Sequence, residues 1–378
     1  MPSGRLPPPL WVDTPAALKK LAGELARQTR IAVDTESNGL HAFREQVCLI
    51  QFSTARVDYL VDPLALASLA PLAAIFADPG IEKVFHAAEY DLICLKRDFG
   101  FTVAHLFDTM QAAHILGYKL VGLDAVMLEK LGVQINKHYQ KADWGERPIS
   151  PEMLNYARLD THHLLDLRDS LETELKQRGR WELAQEEFVR QAHGNGTCKP
   201  EVPAWQRAGR SQKLTGRQLA LLKELCAWRD KQAKRMGRPA FKVLDDKRLV
   251  SVASSAPKAI GDLEALDLTP RQIRLYGNDL LRAVARGQKA APLSRPRPVR
   301  PNPAVLGRLD VLTNWRKHAA LKLELESDII LPKCWVQSIA EKNPKSLDEL
   351  AVCMPASPWR LEHFGQEILD TIGKIKSK

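Results

Sequence analysis

The sequence predicts a mixed α/β domain to about residue 190, followed by two small all-α modules. Three observations carry this prediction. Short runs rich in Ile, Val, Phe and Tyr alternate with helical patterns in the first part of the chain. Two stretches punctuated by Gly and Pro, 193–210 and 289–304, then divide the remainder as linkers. The segments that follow these two stretches match each other at a fixed spacing, the signature of a repeated unit.

Taken in order, "IAVD" (31–34), "VCLIQFS" (47–53), "VDYLVD" (57–62) and "IEKVF" (81–85) read as strands. "PLALASLAPLAAIFADPG" reads as an Ala/Leu-rich helix closed by Pro79-Gly80. "AEYDLICLKRDFG" repeats apolar residues at helical spacing and stops at Gly100. "HLFDTMQAAHILG" reads as a short strand running into a helix. "SPEMLNYARLDTHHLLDLRDSLETELKQRG" reads as one helix, capped by Ser150, with Pro151 in first position and Gly179 at its end.

The repeat has an offset of 87 residues. Leu225, Trp228 and Arg229 fall on Leu312, Trp315 and Arg316, and Ala253, Pro257, Lys258 and Leu263 fall on Ala340, Pro344, Lys345 and Leu350. One inserted residue later, Tyr276-Gly277 falls on Phe364-Gly365. The expected organisation is therefore an α/β domain over 1–195 and helical domains over 211–290 and 302–378.

The chain has 378 residues, 45% hydrophobic and 26% charged, which suits two or three globular domains. The N-terminus, "MPSGRLPPPLWVDT", has no apolar run of signal-peptide length, and no window of the chain approaches the length of a membrane span. Six cysteines, at 48, 94, 198, 226, 334 and 353, form no C-x-x-C pair. That argues against a disulfide framework or zinc site and for a reducing cytoplasm. The net charge of +10 is unevenly spread: residues 199–300 hold 23 Lys+Arg and 9 Asp+Glu, whereas the rest is slightly acidic. Such a concentration predicts a phosphate-backbone partner. Lys231, Lys234, Arg235 and Arg238 cluster near the end of a predicted helix and are the candidate nucleic-acid contacts.

Asp34 and Glu36 raise the chemical question. Residues two apart on a strand share a face, so both carboxylates project together at the end of an apolar run. A solvated edge strand accommodates such a pair, and so does a bound cation. Asp91, just after a strand, and Asp160, on a helix, are further acidic candidates. Tyr156 lies four residues before Asp160, on the same helical face. Four carboxylates suit Mg²⁺ or Mn²⁺, and two such ions activate water and stabilise the leaving oxygen of a phosphodiester. His86, His162 and His163 form no ligand cluster with a second histidine group and read as structural.

"VDTES", "FHAAEYDLICL" and "YARLDTHHLL" resemble the three exonuclease motifs of the DEDD superfamily. "KHYQKADWGERPIS" resembles the stretch that marks its ribonuclease D branch, and the repeated segments resemble helicase-and-RNase-D C-terminal (HRDC) modules. Position 155 is Asn and position 156 is Tyr, so the chain resembles the tyrosine subclass. The resemblance implies a ribonuclease H-like mixed sheet flanked by helices. It implies that Asp34, Glu36, Asp91 and Asp160 ligate two divalent ions while Tyr156 orients the attacking water. The implied activity is 3′→5′ removal of nucleoside 5′-monophosphates from RNA by a monomer. The implied substrates are tRNA precursors with 3′ extensions. Two alternatives stay open: a DNA exonuclease of the same fold and a non-catalytic scaffold that grips RNA 3′ ends.

Overall fold

A computed structural model describes residues 6–194, 202–210, 212–294 and 302–374. The interior of each expected linker, 195–201 and 295–301, and the position of Cys198 lie outside the described residues. No described helix is long and apolar enough to cross a membrane. Contacts divide the chain into two units. One takes in the described parts of Met1–Ser37, Val47–Gly196 and Arg300–Lys378; the other takes in Asn38–Gln46 and those of Thr197–Val299.

The first unit is built on a six-stranded mixed sheet: β1 (Leu10–Val12), β2 (Arg30–Ser37), β3 (Val47–Ser53), β4 (Asp58–Val61), β5 (Glu82–Phe85) and β6 (Leu106–Asp108). The strand order is β1-β4-β3-β2-β5-β6. β2 runs antiparallel to β3 and parallel to β5, so it lies in the interior of the sheet. The acidic pair is therefore not on an edge strand. β2 also continues to Ser37, which places Asp34 and Glu36 within the strand rather than at its end. β1 is an addition to the expected strands; three residues are too short for a periodic signal.

Helices cover both faces. Leu18, Leu25, Val33, Phe52, Phe76 and Leu95 belong to one core. On the other face, the helix Pro151–His162 packs over β2, β3 and β4. Two helices differ from expectation. The Ala/Leu-rich run is helical only over Ala70–Ala77, because Pro71 lacks an N–H and fits only the first turn. The long helix after Ser150 divides into Pro151–His162 and Leu164–Gln177. The division falls beside His162, whose ring nitrogen is 2.9 Å from Asp58 Oδ2.

The repeat predicted from sequence reappears as repeated contacts. Arg229 donates to the Leu244 carbonyl at 3.0 Å, and Arg316 donates to the Leu331 carbonyl at 2.9 Å. Trp228 meets Tyr276 edge-on at 5.6 Å, and Trp315 meets Phe364 edge-on at 5.7 Å. In the second unit, Leu225, Leu249, Val252 and Leu280 form the core, and Phe43 from the Asn38–Gln46 segment packs against it. The second helical copy instead shares a unit with the sheet, and Ile329 is buried in the same core as β6 residue Phe107.

Candidate active site

Asp34, Glu36 and Asp160 converge. Each offers a carboxylate oxygen, and these oxygens all lie within 4.8 Å of one another. The cause is local on both sides. The period of two along β2 puts Asp34 and Glu36 on the face covered by the Pro151–His162 helix. That helix is held in register by its neighbours: Thr161 Oγ1 is 2.7 Å from Ser53 Oγ on β3, and Arg158 pairs with Asp58 on β4 at 3.0 Å. Ser150 caps its start by accepting from the Met153 amide.

Thr35, between the two acids in sequence, points to the opposite face. Its hydroxyl donates to the Asp91 carboxylate. Asp91 lies in the first turn of the helix Glu89–Phe99, outside the triad of converging oxygens. Its entry loop is fixed by Asp108 at the end of β6. Asp108 accepts from the Ala87 and Ala88 amides at 3.0 and 2.8 Å, and from Gln191 Nε2 at 2.7 Å.

Tyr156 is 8% exposed and rests against Trp144 and Tyr139, with ring centroids 6.0 and 5.8 Å away. Both aromatics come from the "KHYQKADWGERPIS" stretch. Arg147 anchors that stretch to the sheet, forking onto both oxygens of Asp62 at 2.7 and 2.8 Å and reaching the Cys48 carbonyl at 2.7 Å.

The electrostatics are those of acids crowded away from water. Burial and then the charge of Asp160 hold Asp34 well above the usual carboxylate range. Burial, followed by the charges of Asp34, Asp160 and Asp91, does the same to Glu36. Asp91 is raised by burial and by Asp34, against the Thr35 hydrogen bond. Burial pushes Asp160 up to about 7. The Tyr156 phenol is raised by burial and then by Asp160, Glu36 and Asp34, so it keeps its proton. Like charges held this close call for a cation, and an all-oxygen donor set of carboxylates fits a hard divalent ion.

The histidines are structural in placement. His162 bonds Asp58, and His86 Nδ1 is 2.9 Å from Thr109 Oγ1. Lys231, Lys234, Arg235 and Arg238 are all exposed, at the C-terminal end of the helix Gly216–Met236 and just beyond it. They belong to the second unit. Sequence reading passed over Asp58, Asp62, Asp108 and Arg147. Each acts through a partner at least 83 positions away along the chain, so no local pattern marks them.

The fold and the domain matches define the class: a domain of the 3′–5′ exonuclease family followed by HRDC domains. Residues 9–176 match the 3′–5′ exonuclease family, and residues 218–284 and 305–372 each match the HRDC domain. A ribonuclease D from Granulibacter bethesdensis is 30% identical over 385 residues, covering 97% of this chain and 93% of that protein. The chain belongs to the ribonuclease D family. The crystal structure of Escherichia coli RNase D, described as an exoribonuclease involved in structured RNA processing, superposes with a TM-score of 0.70. It is 25% identical and covers 98% of this chain and 100% of that one. The Arabidopsis thaliana protein RRP6-like 3 is 36% identical over 66% of this chain, which spans only 31% of that relative's length.

Proposed function

We propose that this chain removes nucleotides one at a time from RNA 3′ ends by hydrolysis with two divalent ions, releasing nucleoside 5′-monophosphates. The observation that carries the reading is the convergence of Asp34, Glu36 and Asp160, from segments far apart in sequence, in a chain of the ribonuclease D family. Asp34, Glu36, Asp160 and Asp91 hold the ions, Mg²⁺ or Mn²⁺. Asp91, supported by Thr35 from the far face of β2, supplies a second set of oxygens beside Asp34. Held there, the ions would supply Lewis-acid activation of water and charge stabilisation of the leaving oxygen. Tyr156, still protonated and held by Trp144 and Tyr139, orients the attacking water with its hydroxyl. Asp160 and Tyr156 ride on one helix, so the Asp58–Arg158 and Ser53–Thr161 contacts set the position of both.

The exposed cluster Lys231, Lys234, Arg235 and Arg238 meets RNA phosphates. Structured RNA with a short 3′ tail, of the kind found in tRNA precursors, fits a trimming site joined to a basic module. A reducing cytoplasm suits the scattered cysteines, four of them buried. The test is degradation of a 5′-labelled, 3′-tailed RNA and its DNA counterpart with Mg²⁺, Mn²⁺ or EDTA. The RNA shortens stepwise from its 3′ end with either ion and not in EDTA. Faster loss of the DNA supports the alternative substrate, and no loss of either supports a scaffold.

A further inference from the structure

Gln51 is the one fully buried side chain among the described residues whose carboxamide has neither end hydrogen-bonded. It sits on β3 directly opposite Asp34 on β2. Residues directly opposite in an antiparallel pair project from the same face. Ser53, two residues on and so on that face too, bonds Thr161, the neighbour of Asp160. The Gln51 carboxamide therefore lies under the Pro151–His162 helix, alongside the carboxylate cluster and not in the opposite core.

A buried amide with neither its N–H nor its carbonyl paired costs free energy and is rarely kept without a use. A carboxylate that ligates a cation with one oxygen keeps lone pairs to be satisfied by a neighbouring donor, and such outer partners fix the ligand's orientation. We infer that Gln51 is a positioning residue for the metal site, donating its Nε2–H to the Asp34 carboxylate when a divalent ion is held there. This rests on the metal-site reading above.

Two substitutions test it in the full chain. Gln51→Met keeps volume and removes both polar ends; Gln51→Asn keeps the amide but withdraws it by one methylene. Mg²⁺ and Mn²⁺ binding is measured by calorimetry, and thermal unfolding is followed in EDTA and with each ion. The expected result is a dissociation constant for the ion weakened roughly 10- to 100-fold in both variants. With it, Gln51→Met unfolds in EDTA at the wild-type temperature or above, because an unpaired polar group has gone. Ion affinity within twofold of wild type in either variant overturns the inference. Asp34→Asn separates this failure from that of the underlying reading. If it too binds the ions like wild type, the metal site itself is wrong; if it loses them while Gln51→Met does not, only the role of Gln51 falls.

Discussion

Arg360 has no exposed surface, and its guanidinium is paired with Glu186 of the helix Trp181–Ala192. It also reaches Glu187 at 3.0 Å and the Ile329 carbonyl at 2.7 Å, and lies over the Trp335 ring at 5.3 Å. The second helical copy is thus fastened to the sheet-bearing part of its unit by a desolvated charge cluster. Burial raises Glu186, and Arg360 only partly offsets it.

Removing one partner of such a cluster strands another. Arg360→Met leaves Glu186 buried without its cation, while Glu187 keeps Arg190, and is expected to destabilise the unit by roughly 3–5 kcal/mol. Chemical denaturation of the full chain checks this. Deleting the second copy removes Arg360 from Glu186 and Ile329 from the core that holds Phe107, so a truncated chain that loses activity reports damage to the exonuclease part as well as any loss of RNA grip. If the deletion leaves unfolding of the remainder unchanged, the cluster is not a fastening.

The carboxylate cluster predicts a pH dependence of stability. Burial pushes Asp160 up to about 7 in the folded chain, well above the usual carboxylate range, and Asp34, Glu36 and Asp91 are raised as well. Between about pH 4 and 7 the ion-free folded chain binds more protons than the unfolded chain, so its stability falls as pH rises. Below that window both states are protonated and these groups contribute nothing. A bound divalent ion compensates the charge, so its stabilising effect grows with pH, to several degrees in unfolding temperature by neutrality. Thermal scans in EDTA and in Mg²⁺ across pH 4–8 measure it. An ion-induced gain that is flat with pH contradicts the shared titration.

Tyr156 separates chemistry from packing. Its ring is wedged against Trp144 and Tyr139, and Phe preserves that contact. Tyr156→Phe is expected to lower the catalytic rate by about 10²-fold, while RNA affinity and unfolding temperature stay near wild type. An unchanged rate with a lower unfolding temperature shows that the phenol serves packing alone.

The basic cluster predicts a salt signature. Neutralising Lys231, Lys234, Arg235 and Arg238 together should flatten the log–log dependence of RNA affinity on salt, by about 0.9 for each lost contact to duplex backbone. Dissociation constants across a salt series provide the measurement. An unchanged slope means that these four residues only solvate their helix.

Much of the site was legible because its chemistry is carried by short periodicities. The D-x-E pair on β2 and the Tyr156–Asp160 spacing on a helix each predict a shared face, and the structure brings Asp34, Glu36 and Asp160 together. The strands 47–53 and 81–85 were readable for the same reason, being short apolar runs in a buried sheet. What was not legible depends on long-range register. Gln51 reads as an ordinary strand residue until β3 is paired with β2 and sets it opposite Asp34. Asp108 carries no sequence signal of its own, and only the fold reveals that it caps the helix Thr109–Ile115 and holds the loop before Asp91. The repeat announced two equal modules, but Arg360 and Ile329 attach one of them to the sheet domain. The first copy has Gln272 where the second has Arg360, and Lys242 where the second has Ile329, two differences within a matching register that sequence alone does not flag.

The central claim is that the converging carboxylates perform the hydrolysis. Its most direct test is single-turnover degradation of a 3′-tailed structured RNA in Mg²⁺ by wild type, Asp34→Asn and Asp160→Asn, with RNA binding measured alongside. Each substitution removes a ligand charge and keeps the side-chain size. The predicted result is a rate lowered by about 10²–10³ or more, with RNA affinity retained. Near-normal turnover by either variant contradicts the assignment.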